Sequence, residues 1–247
     1  MNRDTVIISL FLLALVSGCR VYQPVIAESG YYSVNPDIDL GSISSITIVT
    51  PTNDTRFPLI NRTLGKILCN TIIKKHLFQV NYINSDDRFW NQVNAITDYT
   101  DKDSLKRYRS LLRTDALMIG EVTDYKPFPS VVIGLKLKIY DLRTGQLAWT
   151  LQQLWDSKDK GVENRIKRYF ARNIKTGYEP LNWQYIRTSP NAYQQFVCFE
   201  VASTLPSKTF YRPEYIKYRR SNQSIRDKAL RPVIHFPAKV KKVIGLK

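Results

Sequence analysis

Apolar and polar residues alternate most cleanly between Leu135 and Leu151. Leu135, Leu137 and Ile139 interleave with Lys136, Lys138 and Tyr140. The run Asp141-Leu142-Arg143-Thr144-Gly145 then turns the chain, and Leu147, Trp149 and Leu151 alternate back. A period of two sends successive side chains to opposite faces. The pattern therefore predicts a hairpin with one apolar and one charged face, in a sheet covered on one side only. A strand over Ala116 to Lys126 precedes it, set apart by the break Pro127-Phe128-Pro129. Upstream, the β-branched run Ile43 to Thr50 predicts a strand ending at Pro51, and Phe78 to Ile83 alternates as another. Between these two, apolar positions 60, 64, 67, 68, 71 and 72 keep a period near 3.6. They predict a helix reaching about His76, with Pro58 suited to its first turn. On that helix Ile60, Leu64, Ile67, Leu68 and Thr71 share a face, and Cys69 is expected to point away from it.

The stretch Asn84 to Asp103 is polar, with Phe89 and Trp90 as candidate anchors onto the body. A short helix over Leu105 to Leu112 follows, with Asp103 or Ser104 as its expected cap. Asp159 to Ala171 reads as a helix that buries Val162, Ile166, Tyr169 and Phe170. Ser189-Pro190 opens the last helix, which runs to about Leu205 and is apolar nearly all round, as expected of a helix buried between layers. The order β-α-β-α-β-β-β with appended helices predicts one α/β domain, a mixed sheet of about five strands with helices packed on it.

A different pattern opens the chain. Val6 to Val16 is an apolar run interrupted only by Ser9, and Val16-Ser17-Gly18-Cys19 closes it. The run has the length of a signal-peptide core and falls short of the roughly 20 residues that span a bilayer. Small residues ahead of a cysteine make this a lipobox: Ser17 and Gly18 fit a peptidase groove, and the Cys19 thiol takes the diacylglyceryl group, with palmitate a typical chain. Arg20 replaces the aspartate that marks inner-membrane retention in enterobacteria, which favours the outer membrane. The expected organisation is signal peptide 1–18, tether 19–41, α/β domain 42–205 and C-terminal tail 206–247.

Charge sharpens the picture of that tail. The chain carries a net +16. From Pro206 to Lys247 there are 12 Lys and Arg against Glu214 and Asp227. Such a tail is ordinarily assigned to nucleic acid, but outside the cytoplasm it would meet an anionic envelope surface instead. Arg212, Lys217, Arg219 and Arg220, interleaved with Tyr211, Tyr215 and Tyr218, are the candidate contacts. With Cys19 acylated, Cys69 and Cys198 remain, an even number in an oxidising compartment. They form either a disulfide or two buried thiols acting as small hydrophobes.

Catalytic patterns are missing. His76 and His235 are the only histidines, so an HExxH motif or a His-rich metal site is excluded. The chain has no GxSxG, no Walker loop, no GxGxxG and no CxxC, so no cofactor, metal or small-molecule substrate is implied. Asp86-Asp87 and Asp101/Asp103 read as solvated loop charges.

The segments Asp115-Ala116-Leu117-Met118-Ile119-Gly120-Glu121-Val122-Thr123, Gly134-Leu135-Lys136-Leu137-Lys138 and Asp141-Leu142-Arg143-Thr144-Gly145 resemble a signature of bacterial envelope proteins. These are the amino-terminal domain of TolB and the CsgG and LpoB lipoproteins. The Asp115-Ala116 order is the reverse of the usual one. The resemblance covers residues 43–155, and its motif residues are structural: Gly145 for a backbone of positive φ, Gly120 for close packing. With the lipobox and the missing catalytic patterns, the expectation is a non-enzymatic lipoprotein facing the periplasm, held by its lipid, with a protein partner in the envelope. The rival is a subunit of a CsgG-like oligomeric secretion channel.

Overall fold

The hairpin forms where the alternation places it. In the computed structural model, which describes residues 31–94, 101–174 and 182–206, β6 (Val132–Asp141) pairs with β7 (Gln146–Asp156) around a turn that Gly145 closes at φ 77°. β5 (Ala116–Lys126) lies antiparallel to β6, with a register shift between Val122 and Asp124. On its other side β5 is parallel to β2 (Ser45–Val49) and to the two-residue β3 (Thr52–Asn53). β4 (Gln79–Ile83) runs parallel to β2 at one edge, and β1 (Tyr31–Val34) runs antiparallel to β7 at the other. The sheet order is β1-β7-β6-β5-β2-β4.

The mixed α/β architecture is therefore the expected one, with seven strands in place of five. The two additions are short. β1 begins inside the span read as tether, where Gly30 and Pro36 hide four residues that borrow their order from the β7 edge.

Six helices are described: α1 (Ile60–Ile73), α2 (Arg88–Asn94), α3 (Lys102–Leu112), α4 (Lys160–Asn173), α5 (Trp183–Thr188) and α6 (Pro190–Thr204). Ser189 caps α6 and Asp159 caps α4, each side chain accepting a hydrogen bond from a first-turn N–H. The cap of α3 is Asp101, which accepts from the Ser104 N–H and hydroxyl, in place of Asp103 or Ser104. α2 was not legible: its seven residues hold only Phe89, Trp90 and Val93 as apolar positions.

Two cores result. The larger lies between one sheet face and α1, α4, α5 and α6, around Trp149, Trp155, Tyr193 and Phe196. Here Glu200 of α6 accepts from Trp155 Nε1 of β7 at 3.0 Å and from Arg165 of α4 at 2.8 Å, so one carboxylate joins three elements. The smaller core holds Val49, Ile83, Val93, Leu105, Leu117 and Leu142, under α2 and α3 on the other face. Trp90 anchors that layer by donating from Nε1 to the Thr50 carbonyl at 2.8 Å.

The α1 face differs from the expected one. Ile60, Asn61, Leu64, Gly65, Leu68, Cys69 and Ile72 are buried, whereas Ile67 and Thr71 are only half-buried. Cys69 therefore points into the core. The buried stripe is rotated because the small residues Asn61, Gly65 and Cys69 allow close approach where the apolar count alone gave them no weight. Of the two readings of the cysteines, the structure has the free thiols: Cys69 and Cys198 are both buried and unbonded. Cys198 Sγ contacts the Leu64 carbonyl oxygen at 3.8 Å, so it packs α6 against α1 as a small hydrophobe.

Candidate interaction face

The second face of the sheet is covered only in part. Along β5, Leu117 is fully buried under the small core, while Ile119 and Glu121 are half-buried. Register continues this surface sideways. Ile119 stands beside Lys138 and Thr150, Glu121 beside Lys136 and Gln152, and Asp124 beside Gly134 and Leu154. The opposite phase of β6, with Ile133, Leu135, Leu137 and Ile139, is buried in the large core. The expectation of one apolar and one charged hairpin face is met on β6, whereas on β7 a register shift sets Leu147 beside Tyr140, exposed, and buries Ala148 next to Trp149.

Two depressions mark the uncovered surface. One, of about 200 Å³, has Ile119 and Gly120 as its floor and Thr52, Asn94, Glu121, Lys136 and Lys138 around it. The second, of about 440 Å³, lies over Gly134, between Thr123 and Asp124 of β5 and Gln152, Gln153 and Leu154 of β7. Both are open and shallow. Lys136 and Glu121 sit opposite each other in register with no ion pair between them, so each offers its charge outward.

The motif residues hold this surface rather than react on it. Asp141 is buried, and its carboxylate accepts from the Arg143 backbone N–H at 2.8 Å and from the Arg143 guanidinium at 2.8 and 3.0 Å. Arg143 also donates to the carbonyl and hydroxyl of Ser42, tying the hairpin turn to the 3-10 turn Leu40–Ser42 that precedes β2. The Asp141 hydrogen bond raises the guanidinium further above its ordinary value. Asp115 accepts from Ser44 N–H at 3.2 Å and from Arg109 at 3.3 Å. At Gly120 an added Cβ would come within 2.6 Å of the Lys136 carbonyl oxygen, so close strand packing requires glycine there. Sequence reasoning missed the Asp141–Arg143–Ser42 link. The D-x-x-T-G spacing was visible, but its partner lies 101 residues upstream.

The other singled-out residues have structural work. Asp86 pairs with Arg62, and Asp87 accepts from the Phe89 N–H at the start of α2. Both are exposed, as expected of solvated loop charges, and each has one local partner. On α4, Arg165 is bound to Glu200, and Lys167 joins Lys160 and Arg187 around Glu163. Trp183 lies beneath Lys167 at 4.4 Å and Arg187 at 5.6 Å. Burial drives the Cys69 and Cys198 thiols and the Tyr193 phenol upward, away from ionisation at neutral pH. No group of three or more metal-binding side chains occurs among the described residues. No described helix is long and apolar enough to cross a membrane. Cys19 and the tail residues Arg212, Lys217, Arg219 and Arg220 lie outside the described residues.

The fold defines a single mixed α/β domain. No family model matches the chain, and no curated protein matches it. Among solved structures it is similar to the PelC dodecamer from Paraburkholderia phytofirmans, at 13% identity over 72% of this chain and 96% of that one, with a TM-score of 0.44. It is similar to lipoprotein GNA1162 from Neisseria meningitidis, at 15% identity over 53% and 99%, with a TM-score of 0.36. It is also similar to the LpoB C-terminal domain from Escherichia coli, at 12% identity over 46% and 83%, with a TM-score of 0.32. At these identities and scores the likeness carries no argument about activity, partner or assembly.

Proposed function

We propose that this chain is a lipid-anchored protein of the bacterial envelope, facing the periplasm from the outer membrane. It acts without chemistry of its own as an accessory or assembly factor. The observation that carries this reading is the uncovered half of the sheet. A broad, shallow surface of mixed side chains, on rigid strands and beside no catalytic grouping found in the sequence, suits a protein partner better than a small substrate. The lipobox at Cys19 supplies the location.

Replacing Cys19 by alanine tests the anchor. The variant is expected to leave the membrane fraction and to lose globomycin-sensitive processing. A variant that still fractionates with membrane moves the attachment to the basic tail. The channel reading has one point in its favour, since β6 and β7 have the 10 and 11 residues that a spanning strand needs. Against it, Lys136, Lys138, Glu121 and Gln152 stand on the face that lipid would touch, where charge is costly. Sizing of the detergent-extracted protein separates the two, because a stable ring contradicts the accessory reading.

A further inference from the structure

The three most exposed large apolar side chains among the described residues are Phe128 at 74%, Leu59 at 65% and Leu154 at 55%. They lie far apart in sequence but toward one end of the sheet. Phe128 is in the loop that joins Lys126 of β5 to Val132 of β6, two residues that pair with each other. Leu154 sits across Gly134 on the uncovered face, two residues before Asp156 pairs with Val132. Leu59 follows Phe57, whose ring meets Tyr125 edge-on at 5.1 Å beside that same loop. The apolar groups thus ring the end from the loop tip, the open face and the helix layer.

The chain enters the sheet from the direction of this end, joining it four residues of β7 short of Asp156. β1 is antiparallel to β7, with Tyr31 opposite Gln152 and Val34 opposite Trp149, so its first residue is nearest the Asp156 end. Twelve peptide bonds connect Cys19 to Tyr31. Fully extended they reach about 40 Å. An 11-residue strand such as β7 is itself about 36 Å long. A membrane at the far end of the sheet would need the tether turned back along the six residues from Gln152 to Gln146, about 20 Å or half its reach. A membrane at the near end needs none of that.

We infer that this end of the domain rests on the bilayer that holds Cys19, with Phe128, Leu59 and Leu154 dipping into the interfacial region. The inference rests on the lipid-anchored reading. Apolar contact drives it, because Arg56, Lys126 and Lys158 are offset by Asp54, Asp124 and Asp156 at the same end. Binding of this kind scales with buried apolar area and needs no anionic lipid. The Thr144 turn then points away from the membrane, and the open face stands on edge, reachable from the periplasm.

The test uses the full mature lipoprotein in vesicles, with an environment-sensitive fluorophore on Phe128→Cys, Leu154→Cys or Thr144→Cys and quencher-bearing lipids. Cys69 and Cys198 are buried and leave the introduced thiol as the reactive one. Severalfold stronger quenching at 128 and 154 than at 144 is expected, alike in pure phosphatidylcholine and in phosphatidylglycerol-containing vesicles. Equal quenching at 128 and 144 overturns the orientation, and quenching that requires phosphatidylglycerol overturns the apolar contact. Mass spectrometry of the same protein reports the diacylglyceryl group on Cys19 separately. Its absence sinks the anchor and this inference with it, while an anchored protein with position 128 unquenched sinks the orientation alone.

Discussion

The two halves of the sheet are finished differently. In the parallel half, β2, the start of β5 and the Ile83 end of β4 are covered on both faces, by α1 and α6 on one side and by α2 and α3 on the other, while Gln79 and Asn81 of the β4 edge stay exposed. In the antiparallel half, the rest of β5 with β6, β7 and β1 is covered on one face only. Connectivity explains the difference. Parallel neighbours need crossovers, and the crossover segments that return the chain lie on the sheet's faces, whereas a hairpin returns through its turn and leaves a face bare. The open surface is what topology left uncovered, and its side chains are polar enough to stay in water.

Adjacent residues of β7 give the sharpest contrast. Trp155 is fully buried and bonded to Glu200, while Leu154 is 55% exposed on the other face. Trp155→Ala is expected to cost about 3–5 kcal/mol in urea unfolding, and Leu154→Ala to stay within about 0.5 kcal/mol. Similar losses at both sites would mean that something covers the open face after all. Gly120→Ala falls between them, at about 1–3 kcal/mol, because the new methyl meets the Lys136 carbonyl oxygen and the Leu137 side chain. An unchanged melting midpoint there would show that the β5–β6 approach can relax.

The smallest effect concerns pH. Lys167 and Lys160 hold the Glu163 carboxyl below its ordinary value near 4.5. Its contribution is complete above that value and is lost as the pH falls through the lowered folded value. The partner cations are largely exposed, so the gain is screened and modest. Unfolding curves of Glu163→Gln and the parent protein should therefore differ at neutral pH and converge in acid. A gap that widens in acid would reverse the sign.

What the sequence revealed follows the same division. The antiparallel half was legible best on β6, where one wet face and one dry face write a clean alternation from Leu135 to Ile139; on β7 the alternation from Leu147 failed at its first residue, because a register shift exposes Leu147 and buries Ala148. The parallel half was legible as elements but not as layers. β2 is buried on both faces, but the second one carries Ser45, Thr47 and Val49, so its pattern does not say what lies over it. α2 was hidden in a polar stretch, and the phase of α1 was misjudged because Asn61, Gly65 and Cys69 are buried by close packing rather than by hydrophobicity. The open face was visible as charge at Lys136 and Lys138, but its extent across Ile119, Glu121 and Gln152 needed the register, and the sequence pointed to the tail rather than to this face for contacts.

The central claim is that the uncovered half is the working surface. A photo-crosslinking residue placed at position 136, on the open face, or at position 66, on the exposed side of α1, tests it in intact cells. Both sites carry an exposed lysine, so charge and accessibility are matched. Discrete adducts with an envelope protein from position 136 and none from position 66 are predicted. Adducts from position 66 alone, or the same adducts from both, would contradict the account.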